Sequence, residues 1–185
     1  MDTTIPNETS GCEPSLSSVM INSKGYLNRS EPQQLSGPQL ELVLRRAGLL
    51  THQVAPQGDD WRTWLLLGGR GSGKTFAGSL WIDQLARKTP RTFALVGPAL
   101  HDVREVMVEG ASGLKSFGVP GDRPRWEAGR RRLGWKNGSA AYAFSAEDPD
   151  SLRGPQFHAA WADEFCAWRQ PELVLSNLRF GLRLG

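Results

Sequence analysis

Trp64-Leu65-Leu66-Leu67-Gly68-Gly69-Arg70-Gly71-Ser72-Gly73-Lys74-Thr75 decides how this chain folds. The apolar run ending in two glycines predicts a short buried strand. Lys74–Arg87 follows at helical spacing, with Leu80, Ile82 and Leu85 expected inward and Pro90 beyond the stop. Between strand and helix, Gly68–Thr75 fits G-x-x-x-x-G-K-[ST], the phosphate loop of nucleotide-binding proteins. Each residue type has a physical reason. Glycines let the backbone curl so that several N–H groups converge on phosphate oxygens. The helix behind the loop directs its N-terminal partial positive charge at the same point. Lys74 is expected to reach the β- and γ-phosphates of ATP, and Thr75 to offer its hydroxyl to Mg²⁺. A chance glycine-rich turn is the bland alternative, and the flanking strand and helix weigh against it.

Outward from the loop, Thr92–Val96 is a second short apolar run, closed by Gly97-Pro98. Leu100–Glu109 reads as helix with Val103, Val106 and Met107 on one side. Strand, helix, strand, helix predicts βαβ units, a parallel sheet and the α/β class. Between Arg123 and Ala146 the texture changes. Asn137-Gly138 separates two alternating segments and predicts a type I′ turn, hence an antiparallel hairpin inserted in the parallel sheet. Phe157–Ala162 is a further apolar run, and Pro171–Leu178 reads as helix.

The run Phe157–Ala162 ends in Asp163-Glu164. A phosphate-loop ATPase needs such a pair at a strand end beside the loop. Asp163 is expected to hold Mg²⁺ through water, and Glu164 to act as general base on the attacking water. Elsewhere an Asp-Glu pair after apolar residues is commonly a helix start. Arg70, inside the loop, is positioned to meet charge on the γ-phosphate, or else is a solvent-facing loop arginine. Arg153, in Asp150-Ser151-Leu152-Arg153-Gly154, reads either as a finger on a neighbouring subunit's nucleotide or as a surface arginine. Arg130-Arg131-Arg132 with Trp126 and Trp135 suit nucleic-acid phosphates and bases, or a plain solvated hairpin face.

Composition narrows the class. The chain has 185 residues, 39% of them hydrophobic and 22% charged, which suits one globular domain with a tail. No apolar run reaches the roughly 18 residues a spanning helix needs, so no membrane is expected. Cys12 and Cys166 make no disulfide framework, and the reducing cytosol is the expected compartment. His52, His101 and His158 are scattered and give no zinc pattern. Residues 1–37, rich in Ser, Asn, Pro, Gly and Gln, are expected to be disordered. Residues 38–60 are expected to be a short helix over Pro38–Ala47, ended by Gly48, and a linker over His52–Asp60. Residues 61–185 are the expected nucleotide-binding domain. Residues 61–185 carry eighteen Lys/Arg against twelve Asp/Glu, a mildly basic balance compatible with a polyanion partner.

Trp61–Gly78, Ala94–Glu109 and Phe144–Glu164 together resemble the N-terminal ATPase region of phage large terminase subunits, including those of prophages and gene transfer agents. The resemblance covers about residues 50–185, with three blocks in order. It implies a RecA-like, additional-strand phosphate-loop fold. It also implies an ATP-driven motor that pumps double-stranded DNA through a portal protein, working with a small terminase subunit and as a homo-oligomeric ring in the host cytoplasm. Carried over by position, Gly68–Thr75 is the phosphate loop, with Lys74 and Thr75 its lysine and Mg²⁺-binding hydroxyl and Arg70 its internal arginine. Asp163 and Glu164 match the metal-associated aspartate and catalytic glutamate, and Arg153 an arginine acting across subunits. His52-Gln53 fall where the family often has an adenine-contacting segment. Large terminase subunits are much longer, continuing into a coupling strand and a nuclease domain, so the chain is expected to be incomplete at its C-terminus. A helicase-like phosphate-loop ATPase and a truncated, nucleotide-binding prophage remnant remain the alternatives.

Overall fold

The computed structural model describes residues 43, 47–56 and 61–184. The segment 1–37 and most of the helix expected over Pro38–Ala47 lie outside the described residues, although Val43 and Ala47 are helical. Residues 57–60 of the expected linker also lie outside them, while Thr51–Gln53 forms one 3-10 turn rather than plain linker.

Helix α1 spans Lys74–Lys88 and strand β1 spans Thr92–Gly97. The stretch after β1 begins as a single α-turn, Leu100–Asp102 (α2), and continues as a π-helix over Val103–Val108. Strands β2 (Arg125–Glu127), β3 (Arg132–Gly134) and β4 (Ala140–Ser145) follow, then β5 (Ala159–Ala162) and helix α3 (Pro171–Gly181). The sheet order is β2-β3-β4-β1-β5. β4, β1 and β5 run parallel, with Leu95 opposite both Ala143 and Trp161. β2, β3 and β4 are antiparallel, so the expected hairpin is present and supplies β4 to the parallel half. Its turn is not the expected type I′, which needs positive φ at both Asn137 and Gly138: only Gly138 is left-handed, at φ +94°, and its N–H donates to the Trp135 carbonyl at 3.1 Å, so the tight turn centres on Lys136-Asn137 and Gly138 follows it.

β1 reads as a continuous apolar run because it is covered on both faces. Phe93 and Leu95 face α1 and the π-helix, joining Ile82, Ala86, Val103, Met107, Leu133 and Trp161. Ala94 and Val96 face α3, joining Leu152, Phe157, Trp168, Val174 and Leu178. Each fully buried large side chain in these clusters contributes roughly 1.5–3 kcal/mol. The result is three layers with β1 at the centre.

Two expectations about packing are corrected. Val106 is exposed, and Val108 takes its place in the core. The reason is the winding: Glu109 N–H donates to the Arg104 carbonyl at 2.8 Å, five residues back, which widens the turn and rotates Val108 inward. The second correction is Trp64–Leu67. This run joins no strand among the described residues, and Leu65 and Leu67 are 69% and 80% exposed. An apolar run is buried as a strand only when partners flank it. Trp61 and Trp64 instead pack on Trp81 of α1, with ring centroids 6.1 and 6.3 Å away.

A polar tie joins α1 to the hairpin side. Asp83 is buried and accepts from Trp135 Nε1 at 2.8 Å and from Arg87 Nε at 2.7 Å. Arg87 also pairs with Asp122. A buried carboxylate is tolerable only when so paired.

Candidate nucleotide site

The loop Gly68–Thr75 takes the shape its glycines permit. Ser72 N–H turns back to the Gly69 carbonyl at 3.3 Å, and Gly71 and Gly73 both stand at φ +79°, a left-handed conformation that side chains oppose. Gly73 is the N-cap of α1 and supplies no side-chain cap. The N-terminal amides of α1 therefore keep their donors and the helix its positive end for an anion. The Lys74 ammonium donates to the Gly68 carbonyl at 2.8 Å and the Gly69 carbonyl at 3.1 Å, so the loop curls around its own lysine. Thr75 is half-buried in the first turn of α1, and Arg70 is exposed on the outer bend of the loop.

Asp163 and Glu164 lie where the parallel strands end, the edge at which open α/β sheets bind ligands. Asp163 continues β5 beside β1, its N–H donating to the Val96 carbonyl at 2.9 Å. Trp168 Nε1 donates to the Asp163 carbonyl at 3.1 Å and closes the turn from the α3 side. The Asp163 carboxyl is buried, and burial pushes its pKa up. The neighbouring Glu164 charge pushes the same way. The Glu164 backbone N–H and the Lys74 charge oppose, and the balance is upward. Lys74, at the start of α1, is among the charges that act on Asp163 at the end of β5.

Their spacing is set by helix-to-strand packing. A Cβ on Gly78 of α1 would stand 2.5 Å from the Trp161 ring of β5, so only glycine lets α1 lie this close to the strand that carries Asp163. Glu164 is exposed and adopts φ 49°, ψ 43°. For a non-glycine residue that is an unusual conformation of the kind found at functional sites. The donor set suits Mg²⁺. Thr75 and Asp163 offer a hydroxyl and one carboxylate, and Mg²⁺ commonly takes few protein ligands beside substrate phosphates. No cluster of three metal-ligating side chains occurs among the described residues.

Other expected residues stand apart. Arg153 belongs to the α3 layer, pairing with Asp150 at 3.2 Å and reaching Asn177 Oδ1 at 3.5 Å. It is well exposed and, among the described residues, makes no contact with the loop. The basic hairpin is partly self-neutralised: Arg130 and Arg132 approach Glu127 at 3.6 and 3.4 Å. Sequence reasoning missed how Gln53 is used. Its buried side chain donates from Nε2 to the Ser72 carbonyl at 2.9 Å, inside the phosphate loop. A glutamine in a polar stretch carries no pattern that announces such a contact.

Residues 65–185 match the family described as terminase large subunit, T4likevirus-type, N-terminal. No curated protein matches the chain. Among solved structures, the ATPase domain of the large terminase of Thermus phage P74-26 is similar at 20% identity and a TM-score of 0.45. That likeness covers 60% of this chain and 53% of that one. At that level it carries no argument, and the assignment rests on the family match, which takes in the phosphate loop, the Asp163-Glu164 pair and nearly all of the sheet. No helix among the described residues is long and apolar enough to cross a membrane. The chain belongs to the terminase large-subunit family, and its residues 65–185 are that family's N-terminal region.

Proposed function

We propose that this chain binds Mg²⁺–ATP at Gly68–Thr75 and hydrolyses it, as the ATPase region of a double-stranded DNA packaging motor. The observation that carries the reading is the phosphate-loop motif set on the uncapped start of α1, a helix that Gly78 packs against β5, the strand that leads into Asp163. Lys74 and the loop amides hold the phosphates. Thr75 would hold the metal through its hydroxyl and Asp163 through water. Bound Mg²⁺ supplies charge neutralisation at the transferring phosphoryl group. Glu164, exposed next to Asp163, takes the proton of the attacking water. Arg70, exposed in the loop, turns in to the γ-phosphate, where charge develops.

Arg153 works on a neighbouring subunit's nucleotide. Its position on the outside of the α3 layer, away from its own loop, supports a role across a ring interface. The partners of the assembled motor are double-stranded DNA, a portal protein and a small terminase subunit, in the host cytoplasm. The test is Glu164→Gln, which keeps the shape and loses the base. It should bind ATP like the parent and turn it over ~10²-fold more slowly or worse. Turnover at the parent rate would assign the base elsewhere.

A further inference from the structure

We propose that Trp168 is a positioning residue for Glu164: its indole holds the Asp163–Glu164 peptide and so aims the glutamate carboxylate. This inference rests on Glu164 being the base of the proposed hydrolysis.

The Glu164 side chain has no restraint of its own. It is exposed, and its carboxylate makes no hydrogen bond or ion pair among the described residues. The backbone therefore sets its direction, and that backbone stands at φ 49°, ψ 43°, a region that costs any residue with a Cβ. Three ties hold it there. The Asp163 N–H donates to the Val96 carbonyl of β1 at 2.9 Å. Trp168 Nε1 donates to the Asp163 carbonyl at 3.1 Å. The Glu164 carbonyl accepts from the Ala167 N–H at 2.8 Å, which closes the turn Phe165–Ala167. The first and third are backbone bonds open to many sequences. Of the three, the second alone depends on a side chain.

Trp168 is well placed to give that bond. Its side chain is buried with Leu152, Phe157, Val174 and Leu178, in the core between β1 and α3. Phe165, next after Glu164, packs against it with ring centroids 5.0 Å apart. A ring so enclosed keeps little rotamer freedom, so its N–H is fixed in the frame of α3. A buried indole N–H needs an acceptor, and the Asp163 carbonyl is that acceptor. The peptide is planar, so fixing this carbonyl also fixes the N–H of Glu164, which points at the Asp163 carboxyl. Without the indole donor the peptide is free to rotate. Glu164 then relaxes toward the right-handed region, and its carboxylate swings away.

The full chain carrying Trp168→Phe or Trp168→Met tests this, since both keep an apolar body and remove the donor. In the parent, the Ala167 amide should exchange its hydrogen slowly although the residue is exposed. In both variants its exchange should be about 3–10-fold faster relative to the Leu178 amide of α3, the scale of one hydrogen bond. ATP turnover should fall by ~10-fold or more, because rate is steeply sensitive to misplacement of a reacting group. Mg²⁺–ATP affinity should change by less than about twofold, since the loss lies in the chemical step. In a Glu164→Gln background the same substitutions should lower turnover by less than about twofold, because no base is left to misplace. An unprotected Ala167 amide in the parent, or an unchanged exchange ratio in either variant, would overturn the proposal. So would equal losses of turnover in the two backgrounds, which would make Trp168 a core residue only. If Glu164→Gln turns over ATP no more slowly than the parent, the base reading fails, while the exchange ratio still decides whether Trp168 holds the peptide.

Discussion

Replacing Glu164 with glycine separates what that residue does for chemistry from what it costs the fold. Glu164 holds φ 49°, ψ 43°. The left-handed region costs a residue with a Cβ about 1–2 kcal/mol. Glycine is free of that cost but loses more backbone freedom on folding, about 0.5–1 kcal/mol. The net expectation for Glu164→Gly is a gain of about 0.5–1 kcal/mol, a rise in Tm of roughly 1–4 °C for a chain of this size. Alanine at the same position removes the carboxylate but keeps the Cβ, so Glu164→Ala should lie below Glu164→Gly in stability. The comparison of glycine with alanine isolates the backbone from the charge. Thermal and urea unfolding give the stability, and both variants should lose ATP turnover by ~10²-fold or more. Stability that rises as activity falls is the mark of strain kept for function. Glycine no more stable than alanine at this position would refute the argument from strain.

Asp163 titrates higher in the fold than in the unfolded chain, so its neutral form favours folding. That contribution is complete below the ordinary aspartate range and is lost as pH rises through the folded pKa. In metal-free protein, Asp163→Asn should therefore be more stable than the parent at neutral pH, with the difference closing in acid, as pH-dependent Tm curves would show. Asp83→Ala removes the shared acceptor of Trp135 Nε1 and Arg87, leaving a buried donor unpaired. The expected loss is about 3 kcal/mol, roughly 6–12 °C in Tm, and a change under 2 °C would mean that the tie is dispensable. Arg153→Ala, at an exposed ion pair, should leave Tm unchanged but abolish any rise of turnover per chain with protein concentration. Turnover of the variant that still climbs with concentration would reject the role across subunits.

The parts legible in the sequence are those whose cause is local. Gly68–Thr75 and the α1 pattern declare themselves by residue type and spacing, and Asn137-Gly138 declares the hairpin but not the type of its turn. β1 is legible because burial on both faces leaves an unbroken apolar run. Trp64–Leu67 has the same texture and nonetheless joins no strand among the described residues, because pairing depends on a strand beside it, which its own residues do not encode. The π-winding at Val103–Val108 escapes a reading that assumes α-helical spacing, and so Val106 and Val108 exchange places. The Asp163-Glu164 pair is visible as a pair. The left-handed backbone at Glu164 is not, since no turn-forming residue marks it. Gln53 is the clearest case of a hidden contact, for its partner is a backbone carbonyl nineteen positions away and backbone carbonyls have no sequence signature.

The most direct measurement is calorimetric titration of Mg²⁺–ATP into the parent chain and into Lys74→Ala. The substitution removes the ammonium that the loop Gly68–Gly69 encircles, and with it one charge-assisted contact to phosphate. Losing such a contact costs about 1.5–3 kcal/mol, so the account predicts binding by the parent and affinity about 10–150-fold weaker in the variant. Equal affinity in the two proteins would contradict the assignment of Gly68–Thr75 as the nucleotide site.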